Sequence, residues 1–278
     1  PPRVKGRLDS RAPSAVNRRK PRLATRNPTP MRYALIADIH SNIEAFEAVL
    51  AHARAHGASR FMLLGDLVGY GADPEAVLDR CMTLVDAREA VAVLGNHDAL
   101  SCARFPCHLN ADAQAALDWT LMQLKPRQLE FLRRLPLIHQ ENGLSCVHAS
   151  AHIPERWRYV STGGDAQASL HAAGTRWVFS GHVHDPSLYY SGRDGHMFAF
   201  RPAENMAVGV PDRRQWLAIV GSCGQPRDGL TGARYALFDL PRQRLSFLRI
   251  PYDHHAAAAK IKAAGLPPRL ALHLLGRA

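Results

Sequence analysis

Short runs of apolar residues alternate along most of the chain with polar and glycine-containing stretches. Five of these runs are four or five residues long and are followed at once by a polar residue or a glycine. Such runs are typical of strands that are buried on both faces of a sheet. The five predicted strands span residues 33–37, 61–64, 90–94, 144–147 and 177–180.

Helical periodicity fills the segments between the first three predicted strands. Asn42 is predicted to cap a first helix that stops at Gly57, and Asp73 with Pro74 is predicted to open a second helix. In the first helix the apolar positions are Ile43, Phe46, Val49 and Leu50. In the second helix the residues predicted to face inward are Ala76, Val77, Cys81 and Leu84.

The rest of the chain mixes helical and alternating patterns. An irregular loop is predicted after Asp98, and short strands are predicted over 187–220 and 233–250, with a hairpin at Pro241-Arg242-Gln243. Further helices are predicted at about 111–124, 126–134, 256–264 and 267–276. The 278 residues fit one large α/β domain as well as two smaller ones.

Side chains able to bind metal ions follow all five predicted strands. They are Asp38, His40, Asp66, Asn96, His148, His182 and His184. Singly, such residues are turn formers or hydrogen-bonded core residues, and Asn96 or Asp98 alone would serve as a helix cap. Together at the carboxyl ends of strands, where ligands bind in open α/β sheets, they are expected to converge. Burying so many polar groups is costly unless cations compensate, and seven ligands suit two ions better than one tetrahedral zinc.

Positive charge is concentrated in the first thirty residues. The formal charge of the chain is +11, and residues 1–30 hold nine Lys and Arg against Asp9 alone, a balance of +8 that leaves +3 for 31–278. Six prolines, no aromatic residue and no apolar period predict that this arm is disordered. The alternatives are a nucleic-acid-binding tail, a transit peptide, or codons upstream of a true start at Met31. The last interpretation is favoured, and nucleic-acid binding is expected only through the arm.

The cysteine content and the hydropathy of the chain give an expectation for where in the cell the protein is found. The five cysteines lack Cys-x-x-Cys spacing, and without a secretory signal an odd number fits reduced thiols and a cytoplasmic location. No apolar run approaches the roughly 20 residues that a membrane-spanning helix needs.

Five motifs in order resemble the calcineurin-like metallophosphoesterases. They are Asp38-Ile39-His40, Gly65-Asp66, Gly95-Asn96-His97-Asp98, His148 and Gly181-His182-Val183-His184. The chain looks most like the small bacterial and archaeal phosphoesterases of that superfamily, and the resemblance covers 31–278, leaving the arm outside. It implies a single metallophosphoesterase domain, a two-sheet α/β/β/α sandwich with its metals at one edge.

The resemblance also implies how two metal ions are shared. One ion would be held by Asp38, His40 and His184, and the other by Asn96, His148 and His182. Asp66 would bridge them. All of these donors are N or O atoms, which suit Mn, Fe, Zn, Co or Ni, and the sequence does not choose among these metals.

The implied chemistry is hydrolysis of a small phosphate ester. A hydroxide bridging the metals would attack phosphorus in line, with His97 as general acid for the leaving group. Asn96 and Arg227 are candidate substrate-binding residues, although Arg227 could instead brace its loop. Residues 157–159 could line the cleft or merely anchor a loop.

Several functions stay open at this point. Asp98 and Tyr70-Gly71 stand where the protein Ser/Thr phosphatases have Glu and Arg, which argues against that branch. A phosphodiesterase is the leading hypothesis. The alternatives are a phosphomonoesterase or nucleotide phosphatase, and a non-catalytic metal-binding or nucleic-acid-binding regulator on the same fold. The oligomeric state is not predicted.

Overall fold

The structure is a computed structural model that describes residues 2, 31–106 and 108–277. The predictions for the basic arm, including nucleic-acid binding through it, therefore lie outside the described residues. So does Cys107. Among the described residues no helix is both long enough and apolar enough to cross a membrane.

Two six-stranded mixed sheets form the framework. The first has the order β3-β2-β1-β11-β12-β9 and the second the order β4-β5-β6-β10-β7-β8. The strands of the first sheet are β1 (Arg32–Ile36), β2 (Arg60–Leu63), β3 (Ala90–Ala92), β9 (Ala207–Gly209), β11 (Ala233–Asp239) and β12 (Arg244–Ile250). The strands of the second are β4 (Ile138–Glu141), β5 (Leu144–Val147), β6 (Trp177–Ser180), β7 (Ser187–Ser191), β8 (Met197–Phe200) and β10 (Trp216–Ile219).

The two sheets pack face to face, with helices on their outer faces. In β1, Tyr33 and Leu35 belong to the core between the sheets, whereas Ala34 and Ile36 pack against helices. Because alternate residues face opposite sides of a sheet, a strand covered on both sides must be apolar throughout. The predicted α/β/β/α sandwich is confirmed.

Eight α-helices occur among the described residues. They are α1 (Ile43–Ala55), α2 (Pro74–Asp86), α3 (Asn96–Ser101), α4 (Ala111–Gln123), α5 (Pro126–Arg134), α6 (Gly163–Ala173), α7 (His254–Ala263) and α8 (Pro268–Leu274). Asn42 caps α1 as predicted, its Oδ1 accepting from the Ala45 N–H at 3.0 Å. The hairpin prediction is also confirmed, since β11 and β12 pair in antiparallel register.

Two local predictions are wrong. Ala76 is exposed, and Leu78 is buried in its place on the inner face of α2. The irregular loop predicted to follow Asp98 directly begins later, because Asp98 lies within α3 and the loop starts after Ser101. The Asp98 carboxylate accepts the Gly95 N–H at 3.0 Å and so closes the first turn of this short helix.

The sheet topology explains why the polar residues converge. Strands β1, β2 and β3 are mutually parallel in the first sheet, and β5, β6 and β10 are parallel in the second. The carboxyl ends of these strands meet at one edge of the sandwich, where loops that follow strands of one sheet contact loops that follow strands of the other. The Cys223 N–H, just past β10, donates to the carbonyl of Ala37, just past β1, at 2.9 Å.

Candidate metal centre and active site

The backbone turns sharply at most of the polar residues that follow the strands. Asp38, His40, Asp66, His182 and His184 all have positive φ, between 48° and 68°. This left-handed conformation is uncommon for residues other than glycine and costs about 1–3 kcal/mol each, so it persists only where the surroundings impose it. Here the loops brace one another, since the N–H groups of Asp38 and His40 donate to the carbonyls of Gly65 and Asp66.

Two glycines permit this close approach of loops. A Cβ at Gly181 would lie 2.5 Å from Oδ2 of Asp38. A Cβ at Gly65, whose φ is +85°, would lie 2.9 Å from Nδ1 of His148. Any side chain at either position would displace a candidate ligand, which explains the glycines in the two motifs.

Asp38, His40 and His184 form the first group of candidate ligands. All three are buried, and their potential ligand atoms lie within 4.8 Å of one another. The two imidazole Nε2 atoms are 3.2 Å apart, and Nε2 of His184 is 3.4 Å from Oδ1 of Asp38.

The tautomers of the two histidines follow from their outer hydrogen bonds. Nδ1 of His40 lies 3.1 Å from the carbonyl of Val68, and Nδ1 of His184 lies 2.7 Å from the carbonyl of Gln225. A carbonyl can only accept, so each Nδ1 carries the proton. Burial holds the pKa of both imidazoles well below its usual range, so both rings are neutral. Two lone pairs then face each other at 3.2 Å, an arrangement that a cation between them would satisfy.

Asn96, His148 and His182 surround Asp66 in the second group. Nδ1 of His148 donates to the carbonyl of Leu64, and its Nε2 lies 3.1 Å from Oδ1 of Asn96. Ligand atoms of Asp66, His148 and His182 lie within 4.8 Å of one another. Nε2 of His182 is buried and has no hydrogen-bond partner among the described residues. This unpartnered nitrogen is a second indication that the site fits a metal ion.

Asp66 lies between the two groups. Its Oδ2 is 3.7 Å from Nε2 of His40 and 3.3 Å from Nε2 of His148, while its Oδ1 accepts the N–H of His97 at 2.9 Å. Burial acts to raise the pKa of this carboxyl, but His148 and His97 outweigh it and hold the pKa well below its usual range. Asp66 is therefore ionised and placed to serve both groups.

The protein atoms alone do not fully stabilise the ionised form of Asp38. Burial, opposed in part by His148, raises the pKa of Asp38 to about 7. For His148 burial acts to lower the pKa, yet the carboxylates of Asp66 and Asp38 raise it to about 9. A buried carboxylate that is difficult to ionise indicates missing positive charge, which divalent cations would supply.

His97 lies next to these groups, packed against Tyr70 and against Gly69, where a Cβ would lie 2.6 Å from its Nδ1. The ring of Tyr70 packs against His97 and against His40, with centroids 4.6 Å apart in both pairs. A ring nitrogen of His97 also lies within 4.8 Å of ligand atoms of His40 and Asp66. Its Nδ1 is buried without a hydrogen-bond partner in the described part of the chain. Burial lowers the pKa of His97, and the carboxylate of Asp66 opposes this.

Comparison with known proteins identifies the family. The family model of the calcineurin-like phosphoesterases matches residues 31–186. An uncharacterized protein of Methanocaldococcus jannaschii is 34% identical over 250 residues, which are 88% of this chain and 98% of the archaeal one. The chain belongs to the calcineurin-like phosphoesterases. It is thus a metal-dependent hydrolase of phosphoric esters.

Two further relatives support this assignment. The crystal structure of a metallophosphoesterase from Sphaerobacter thermophilus matches with a TM-score of 0.77 and 32% identity, covering 90% of this chain and all of the other. A symmetrical bis(5'-nucleosyl)-tetraphosphatase of Bordetella pertussis is 32% identical over 148 residues. That match spans about half of each chain (51%).

The clustered residues open into a cavity of about 220 Å³ in this phosphoesterase. Tyr159 forms part of its wall and stacks on the ring of His182, with centroids 4.2 Å apart. The expectation that residues 157–159 line the cleft holds for Trp157 and Tyr159, whereas Arg156 rather than Arg158 lines the cavity. Asp66, Asn96, His97, His182 and His184 line it from the metal-ligand side.

Arg227 reaches the same cavity from the loop after β10. Its guanidinium donates to Oη of Tyr70 at 3.4 Å and to Oε1 of Gln225 at 3.3 Å. Among the described residues no carboxylate pairs with it. The carboxylate of the next residue, Asp228, is held instead by the guanidinium groups of Arg234 and Arg249 at 2.5 Å each. These ion pairs fix the loop and leave the charge of Arg227 facing the cavity.

Sequence reasoning missed several residues of the site. No structural role was predicted for Tyr70, and for Asp98 only that of a helix cap, although its carboxylate also accepts the N–H groups of Leu67 and Val68. An acidic residue four positions past a predicted strand, as Asp98 is past Leu94, is a signal that could have indicated such bracing. No sequence signal indicated that Tyr70 contacts His40 and His97, since these contacts depend on how its ring packs in the folded protein.

Proposed function

We propose that this phosphoesterase binds two divalent metal ions at the edge of the sandwich. Asp38, His40 and His184 hold one ion. Asn96, His148 and His182 hold the other, and Asp66 is shared by both. The facing Nε2 atoms of His40 and His184 carry this proposal, because both rings are neutral acceptors 3.2 Å apart and a cation bound between them would satisfy both lone pairs.

The chain's residues prepare this site in two ways. Carbonyls of Val68 and Gln225 fix the tautomers of His40 and His184, so that each Nε2 presents its lone pair, and the carbonyl of Leu64 orients His148, whose Nε2 would give up its proton to a bound cation. Asp66, ionised and central, spans the two groups. When bound, the metal ions would supply an activated water and positive charge for the phosphoryl oxygens. The N and O donor set suits Mn, Fe, Zn, Co or Ni.

His97 is the proton donor of the proposed reaction, and Asn96 with Arg227 binds the substrate. His97 lines the cavity beside the ligand groups, where it would donate a proton to the leaving oxygen of a bound ester. Arg227 has neutral hydrogen-bond partners only among the described residues. Its fork of N–H donors is therefore available to non-bridging phosphoryl oxygens.

The substrate class that we propose is a phosphorus bearing two oxygen substituents, as in a phosphodiester. A second cavity of about 240 Å³ adjoins the site cavity, and Tyr70, Asn110 and Arg227 line both. The two cavities give space to a substituent on each side of the reacting phosphorus. A relative named as a symmetrical bis(5'-nucleosyl)-tetraphosphatase, which by that name acts on doubly substituted phosphorus, supports this class. Monoester hydrolysis is the second candidate, favoured by the guanidinium of Arg227, which pairs with no carboxylate among the described residues.

Comparing two nitrophenyl substrates tests this class. We expect kcat/KM for bis(p-nitrophenyl) phosphate to equal or exceed that for p-nitrophenyl phosphate, because the open pair of cavities accepts a second substituent. Both rates are measured with the same metal-loaded protein by release of nitrophenol. A clear preference for the monoester would overturn the diesterase proposal and would favour the role of Arg227 as a clamp for a dianion.

A further inference from the structure

A second cavity adjoins the active site on the side of the C-terminal helix. It measures about 240 Å³. Its lining consists of Tyr70, Asn110, Asp112, Gln225, Arg227, Arg269, Leu270 and His273. Since Tyr70, Asn110 and Arg227 also line the active-site cavity, the two spaces are neighbours that share a wall.

This second cavity is built on packed elements. Arg269 and His273 are four residues apart on α8, so their side chains lie on one face of the helix. Leu270 and Leu274 of the same helix are buried in a cluster with Ile261 of α7, which fixes the position of α8. On the opposite wall the guanidinium of Arg227 lies 5.8 Å from the ring centroid of Tyr70, within the range of a cation–π contact.

The charge inside the second cavity is positive. Neither Arg227 nor Arg269 has a carboxylate within ion-pair distance in the described part of the chain. Asp112 is the one acidic side chain among the described residues of its lining. Consistently, burial lowers the pKa of His273, and the charges of Arg227 and Arg269 lower it further, whereas Asp112 opposes them. Two guanidinium groups and one carboxylate give the second cavity a net positive charge, which favours binding of an anion.

We propose that this second cavity binds a phosphate group of the substrate other than the one that is cleaved. The substrate is then a molecule with two or more linked phosphates, such as a nucleoside oligophosphate, whose reacting phosphorus lies in the active-site cavity. Arg227 at the shared wall and Arg269 on α8 present planar N–H forks, which match phosphate oxygens in pairs. Asp112 contributes repulsion, which limits the charge that the cavity accepts. This inference rests on the proposed function for the position of the cleaved group.

Binding of inorganic phosphates to the full chain tests the second cavity without any turnover. We expect tripolyphosphate to bind at least about tenfold more tightly than orthophosphate, because only the longer anion reaches both cavities. In Arg269→Ala this difference should fall to about twofold or less, and Arg269→Lys should restore part of it. Arg213→Ala, at an exposed arginine of the loop before β10, is the matched control and should keep the wild-type difference.

Hydrolysis provides the second readout. The ratio of kcat/KM for a bis(5'-nucleosyl) tetraphosphate to that for bis(p-nitrophenyl) phosphate should fall at least about tenfold in Arg269→Ala, mostly through KM. Equal affinity of the wild type for tripolyphosphate and orthophosphate, or an affinity difference unchanged in Arg269→Ala, would overturn the second phosphate site. Tight, Arg269-dependent tripolyphosphate binding by a protein that hydrolyses neither ester would instead overturn the proposed function and support the site.

Discussion

Asp66→Asn is expected to remove most of the bound metal and to lower kcat by at least about 10²-fold. Losing a group that orients a metal ligand already costs about 10–100-fold, and Asp66 contacts both ligand groups at once. The asparagine keeps an oxygen that can accept the N–H of His97, so the fold of the loop should persist. Metal content is measured by elemental analysis and activity with bis(p-nitrophenyl) phosphate.

Asp194→Asn is the matched control for this substitution. Asp194 is an exposed carboxylate in the turn before β8 and does not line the site cavity. It should leave metal content and kcat unchanged. If Asp66→Asn retained two ions and full activity while remaining folded by circular dichroism, the shared role of Asp66 would be wrong.

His97→Ala is expected to slow hydrolysis of a diester with an aliphatic leaving group by about 10²–10⁴-fold, the usual contribution of general acid catalysis. An aliphatic alkoxide is a poor leaving group and needs a proton as it departs. A nitrophenolate leaves without one, so the same variant should lose much less activity with nitrophenyl esters. The quantity to measure is kcat/KM for the two kinds of ester with one preparation of protein.

Metal content and a second histidine separate this role from a structural one. Bound metal should be unchanged in His97→Ala, and His196→Ala, at an exposed side chain, should leave both rates as they were. Equal losses with both kinds of ester would remove His97 from the role of acid. A loss of metal would assign it to the ligand groups, which it approaches within 4.8 Å.

The strands and the convergence of the site could be predicted because their signals are local. An apolar run that ends in Gly65-Asp66 shows both the strand and the residue held at its end. The same reasoning selected His148 and His182. The structure brings both to the same edge, although they follow strands of the second sheet. Periodicity also located α1 and its cap at Asn42, since the capping oxygen and its N–H are three residues apart.

Predictions failed where the structure depends on weak side-chain preferences or on contacts between residues that are far apart in the sequence. Alanine is tolerated on either face of a helix, so pattern alone could not place Ala76. The short helix α3 depends on one carboxylate, that of Asp98, whose other contacts lie 30 and 31 residues earlier in the chain. The second cavity joins Tyr70 to Arg269 on the last helix, and no sequence pattern links residues so far apart.

The number of metal ions in the active protein tests the account most directly. We expect purified protein to contain about two transition-metal ions per chain by elemental analysis, to lose activity on chelation, and to regain it when a divalent metal is returned. The restored activity should saturate at about two ions per chain, as two groups of ligands that share Asp66 require. A fully active preparation with one ion per chain or none, or one that chelation leaves active, would contradict the account.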